Sequence, residues 1–162
     1  MISTQQIGLE GEQFITNHVD CPNCGKELMP MPKNYPLFDV QCTGCSFRAQ
    51  IKTSQSKPKS IVRGAGYDVY EKTMKAGYMA PPLIANFYWK DKDGQEHREV
   101  RFYPFIPRAN LKPFRLSKTH RQPNYAMFNY VGLDKLPYFK MTARKRRLMF
   151  KINESDTSYG RF

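Results

Sequence analysis

Apolar positions near the N-terminus fall at helical spacing. Ile7, Phe14, Ile15 and Val19 mark one side of residues 5–19 and polar residues fill the rest, which predicts a helix weakened by Gly8 and Gly11. Residues 26–36, rich in Pro and Met, read as loop, and 36–42 as a short strand. Over 46–53, Phe47, Ala49 and Ile51 alternate with Arg48, Gln50 and Lys52, the period of a half-buried strand. The turn between these two strands makes them a hairpin. A polar loop at 54–60 leads to a second predicted helix over 62–78, starting at Val62 or after Gly66. Strands follow at 82–90 and 99–107, joined by a turn through Asp93 and Gly94. Residues 108–124 are basic and loop-rich, 125–131 reads as a strand, and 134–150 as a short helix running into a basic tail. The pattern predicts an α/β domain.

Length fits one domain with a single core, here expected over residues 1–139, followed by a basic C-terminal segment at 140–162. Hydrophobic residues at 40% and aromatics at 14% exclude a disordered basic tail as the whole protein. No run of about 18 apolar residues exists to span a membrane. No apolar stretch follows a basic one at the N-terminus, so the expectation is a cytoplasmic protein. Charge sharpens the picture. The chain has 26 Lys+Arg against 14 Asp+Glu, a net +12 that points to a polyanionic partner, most commonly nucleic acid. Residues 1–50 hold three bases against five acids, and 51–162 hold 23 bases against nine acids. The acids therefore come early and the cationic surface late.

Cys21, Cys24, Cys42 and Cys45 form the pattern C-x2-C-x17-C-x2-C, with Pro22 and Gly25 suited to a tight knuckle. Four thiolates at this spacing fit one tetrahedral Zn2+, a zinc ribbon over 21–45. Two disulfides are the alternative, and a reducing cytosol disfavours them. Four protein ligands leave no open position, so this zinc is structural.

The hairpin carries the candidate chemistry. Gln50 and Lys52, two apart on a strand, share a face, and Asp39 reaches it from the paired strand. Asp…Gln-x-Lys is a degenerate form of the Asp…(Asp/Glu)-x-Lys nuclease signature. A carboxylate and a second oxygen ligand hold Mg2+ against a scissile phosphate. A lysine amine stabilises charge at phosphorus or orients the attacking water. Gln50 supplies an oxygen without negative charge, and Glu12 on the N-terminal helix is placed to restore a carboxylate. On spacing alone, a polar strand face beside a zinc knuckle is the competing reading.

The stretch CPNCG at 21–25 with FDVQCTGCSFRAQIKTS at 38–54 resembles the catalytic domain of DpnI-type restriction endonucleases. The likeness continues through GAGYDVYEKTM at 64–74, VRFYPFIPRANLKP at 100–113 and LSKTHRQPNY at 116–125, so it covers about residues 12–137. The resemblance implies a PD-(D/E)xK nuclease: a restriction-endonuclease-like core, with a central mixed sheet flanked by helices and an embedded four-cysteine zinc ribbon. It also implies an Mg2+-dependent enzyme cutting double-stranded DNA at adenine-methylated, GATC-like sites. Three departures stand out. Gln50 replaces the family's glutamate, although Gln-x-Lys occurs in other branches of the superfamily. Gln122 replaces an arginine, and Tyr125 stands for a tryptophan. The sequence stops at Phe162, before the winged-helix domain that the family's full-length enzyme adds, so the expectation is recognition by the core, a partner chain or a homodimer.

DNA contacts are expected from the loop bearing Arg108, Lys112, Arg115, Lys118 and Arg121 with Phe114 and Tyr125, since arginine reads guanine edges and aromatics pack on methyl groups. Lys57 and Lys59 are placed to meet phosphates. Arg144, Arg146 and Arg147 form either a phosphate clamp or a solvated tail. Two other classes compete: a non-catalytic zinc-stabilised module or inactive subunit that reads methylated DNA, and a zinc-ribbon factor for RNA.

Overall fold

The computed structural model describes residues 2–143. Helix α1 (Thr4–His18) opens the chain, with the Ser3 side chain capping it through the Gln6 N–H. The strands among the described residues are β1 (Leu28–Pro30), β2 (Val40–Cys42), β3 (Arg48–Ser54), β4 (Val62–Ala65), β5 (Leu83–Lys90), β6 (Glu96–Tyr103), β7 (Leu111–Arg115), β8 (Ala126–Tyr130) and β9 (Phe139–Met141). Helix α2 (Tyr67–Lys75) follows β4. Six strands form one mixed sheet in the order β1-β2-β3-β5-β6-β9, and β4-β8-β7 form a second. The β3–β5 pair is parallel and the others in the large sheet are antiparallel.

Alternation along the strands explains the layers. In β5, Leu83, Ala85 and Phe87 enter one core with Val62, Tyr70, Tyr103 and Phe128. Its Ile84 enters the other, with Ile15 of helix α1, Val19 just after it, Ala49, Ile51, Val100 and Phe102. Strand β5 is thus buried on both faces and reads as a nearly continuous apolar run. The expected mixed α/β architecture is present, with helices on either side of the large sheet.

Some elements differ from the sequence pattern. Of the two starts expected for the second helix, the later holds: α2 begins after Gly66, whose φ of 70° makes the break, and Val62–Ala65 form β4 instead. Gly64 has no alternative in β4, because a Cβ there would lie 2.3 Å from the Phe128 ring. The loops at 26–36 and 108–124 each contain a short strand, β1 and β7. The expected helix over 134–150 is replaced, within the described residues, by a 3-10 turn (Leu133–Lys135) and β9.

Helix α1 lies close against β3. A Cβ at Gly11 would sit 1.8 Å from Thr53 Oγ1 and 2.6 Å from Thr53 Cβ, whereas one at Gly8 would meet nothing within 4 Å. Gly→Ala in a helix gains about 1 kcal/mol in propensity. Overpacking of a well-fitted contact costs about 1–3 kcal/mol. Gly8→Ala is therefore expected to stabilise and Gly11→Ala to destabilise, which urea unfolding of the pair would measure.

Candidate active site

The four cysteines converge. Their sulfur atoms all lie within 4.8 Å of one another, with Cys21–Cys45 at 3.6 Å and Cys24–Cys42 at 3.3 Å. A tetrahedron with Zn–S bonds of about 2.3 Å has sulfur edges of roughly 3.8 Å, so the cluster fits zinc. The knuckle amides are aimed at sulfur: Asn23 N–H at Cys21, Gly44 N–H at Cys42 and Phe47 N–H at Cys45. The Asn23 side-chain amide and the Phe47 N–H hold the Cys45 thiol down at about 6, while burial pushes Cys21 up to about 12. Both knuckles are locked to the backbone around them: Cys42 ends β2, and Cys21 donates its N–H to Lys26 and accepts that of Gly25.

That ribbon positions Asp39, the residue before β2. Strand β2 pairs with β3 at Val40–Ala49 and Gln41–Arg48. Beyond this point the Ile51 N–H on the β3 edge has no strand partner there. The Asp39 carboxylate accepts it at 2.7 Å, through Oδ2. The same oxygen accepts the Gln50 side-chain amide at 2.6 Å. Lys52 lies two residues on, and its ammonium interacts electrostatically with both Asp39 and Glu12. Glu12 belongs to the α1 turn that Gly11 brings against Thr53. The structure thus gathers Glu12, Asp39, Gln50 and Lys52 around the part of β3 that runs past its pairing with β2.

Burial raises the Asp39 pKa, against the lowering effects of the Ile51 N–H, Lys52 and Gln50. Glu12 is raised to about 7, first by burial and then by the Asp39 charge, with Lys52 opposing. Burial lowers Lys52, and the two carboxylates oppose that shift. Two carboxylates in a partly desolvated site, with one lysine interacting with both, are oxygen donors of the type that a divalent cation takes. One consequence is testable without metal. An acid whose folded pKa lies above its unfolded value contributes most to stability below the unfolded value. That contribution is lost as pH rises through the folded value. Glu12 should therefore destabilise the metal-free protein between about pH 4.5 and 7. Glu12→Gln should flatten that limb of a melting-temperature against pH curve.

A cavity of about 380 Å3 opens beside the cluster, lined among others by Glu12, Lys52, Thr53, Lys59 and Arg63. Lys59 is exposed on its rim, while Lys57 is exposed on the same loop outside the lining. Met127 lines both this cavity and a groove beside Phe114 and Arg115, so the β7–β8 hairpin flanks the site. Lys112 and Arg115 are exposed on β7, and Lys118, Arg121 and Tyr125 are exposed on the loop before β8. Arg115 is engaged with Asp68 at 3.0 Å and with the Asn124 carbonyl. Arg108 opens a 3-10 turn and lines a separate groove with Tyr78, Met79 and Phe105. Arg144, Arg146 and Arg147 lie outside the described residues. Arg63 is the lining residue that the sequence pattern hid, since it falls in the stretch read as helix. The alternation of Val62, Arg63, Gly64 and Ala65 was the available signal.

Among the described residues no helix is long and apolar enough to cross a membrane. The protein is a mixed α/β domain carrying a four-cysteine cluster whose two knuckles bracket Asp39 in the sequence. The chain belongs to the DpnI, Dam-replacing family, whose model matches residues 2–140. Membership implies a nuclease. A search of curated proteins finds no match.

Proposed function

We propose that the protein is a divalent-metal-dependent, PD-(D/E)xK-type endonuclease that cleaves double-stranded DNA at adenine-methylated, GATC-like sites. The observation that supports this most is the mutual electrostatic interaction of Asp39, Glu12 and Lys52, the last two lining one cavity, in a member of this family. Asp39 has one carboxylate oxygen committed to Ile51 and Gln50, which fixes the group's orientation. Its other oxygen, the Gln50 amide oxygen and Glu12 are the ligands proposed for Mg2+. Bound there, the ion would supply Lewis-acid stabilisation of phosphoryl oxygens and an acidified water. Lys52, whose pKa burial lowers against the opposing pull of Asp39 and Glu12, is proposed to place its ammonium where negative charge grows at phosphorus. The cysteine cluster is proposed to hold structural zinc. Duplex DNA would lie along the β7–β8 hairpin, with Lys112, Lys118 and Arg121 on phosphates or base edges.

A second reading has its own support. The Gln50 amide donates to Asp39, so this position adds a hydrogen bond where a glutamate would add charge. A site so arranged would hold methylated DNA without cutting it. Gln50→Glu separates the two. On the nuclease reading wild type nicks methylated plasmid with Mg2+ or Mn2+, and Gln50→Glu lowers the metal concentration needed. Binding without nicking by wild type, with cleavage gained by Gln50→Glu, would establish the reader.

A further inference from the structure

Arg63 stands on β4 with its side chain outward, because Val62 and Gly64 alternate into the core on either side. Gly64 lies flat under the Phe128 ring, which fixes the strand's height and register against β8. The Arg63 guanidinium is carried over the Phe114 ring of β7, 5.5 Å from its centroid. Guanidinium planes held this way lose little further freedom when they bind an oxyanion. Among the described residues Arg63 forms no ion pair, whereas Arg101 and Arg115 each hold a carboxylate. Lys59 likewise has none among the described residues. Both line the cavity that Lys52 and Glu12 enter. On the opposite wall, the first turn of α1 carries no acid and contributes Thr4. Glu12 is thus the one carboxylate among the lining residues, and Lys52 already faces it.

A cavity with two uncommitted cations set beside a separate acid–lysine cluster is shaped for a second anion. We infer that Arg63, with Lys59, forms a phosphate subsite that grips the backbone phosphate next to the scissile one. This rests on the nuclease reading for the word "scissile", but the anion site itself does not. Arg63 is a positioning residue here: it sets the register of the DNA strand against Asp39 and Lys52 and contacts no reacting atom. Its planar fork suits two phosphate oxygens, a geometry lysine cannot copy. The contact reads backbone, so it should be indifferent to base methylation.

The test is binding of the full chain to duplex DNA in calcium or without metal, across a salt series. Arg63→Ala should weaken methylated and unmethylated duplexes equally, by about tenfold at low salt, and reduce the slope of log K against log salt by about one. Arg63→Lys should keep the slope and lose part of the affinity. A duplex series with one neutral methylphosphonate at each position in turn locates the contact. Wild type should be weakened at one position where Arg63→Ala is not. If cleavage occurs, that position should adjoin the cut bond. Unchanged affinity and slope in Arg63→Ala, or no position where the two proteins differ, would overturn the subsite. A located contact in a protein that never cuts would leave the subsite standing and defeat the nuclease reading instead.

Discussion

Lys52→Ala is expected to lower the cleavage rate by about 100- to 10,000-fold, the range for removing a positioned acid–base or oxyanion-type group. DNA affinity should change by less than about tenfold, because outlying cations supply most of the backbone attraction. The reason lies in the site's charge balance. Lys52 interacts with Asp39 and Glu12, and burial already pushes both carboxylates upward. Its loss removes the ammonium from the phosphoryl site and the lowering influence on both acids together. More of each acid would then be protonated at neutral pH, which weakens the proposed ligand set. Single-turnover cleavage beside equilibrium binding measures both effects. A Lys52→Ala protein that cuts at the wild-type rate would remove Lys52 from the chemistry.

Removing zinc is expected to have the other large effect. Structural zinc in finger-like peptides contributes about 10–16 kcal/mol of apparent binding free energy, comparable with or larger than the roughly 5–15 kcal/mol that holds a typical domain folded. The ribbon is also part of the core beneath helix α1: Cys21, Leu28, Val40 and Cys42 pack with Ile15 and Val19. Asp39 directly precedes β2, and Glu12 is carried by α1. Loss of the ion should therefore release two of the four site residues from their mutual placement. Cys42→Ser, or strong chelation of wild type, should lower the melting temperature by well over 10 °C and abolish cleavage together, since a loss of even a few kcal/mol shifts melting by about 2–4 °C per kcal/mol in a domain of this size. Metal analysis should find one zinc per wild-type chain. A chelated protein with an unchanged melting curve would show that the cysteines hold no structural ion.

Much of this site was legible in the sequence because its determinants are local. The cysteine spacing set the ribbon, and the alternation of Ala49, Gln50, Ile51 and Lys52 set the strand and the shared face. Asp39 was within reach because the hairpin is short. What stayed hidden depends on distant partners. Strand β4 exists because β8 pairs with it and Phe128 fills the space above Gly64, neither of which local pattern shows. The stretch 62–78 reads as helix, starting at Val62 or after Gly66, and Arg63 vanished into it. The β3 edge donor satisfied by Asp39 depends on where β2 stops, a matter of register. Glu12 was expected on the N-terminal helix, but its place in the cluster depends on the close approach of Gly11 to Thr53, which only the fold reveals.

The most direct measurement is a plasmid assay with purified full chain and Mg2+, on DNA adenine-methylated at GATC and on the same DNA unmethylated. The expected result is cutting of the methylated plasmid alone, stopped by chelation of Mg2+ and by Asp39→Ala. Methylated plasmid left intact by wild type in both Mg2+ and Mn2+, while still bound, would contradict it.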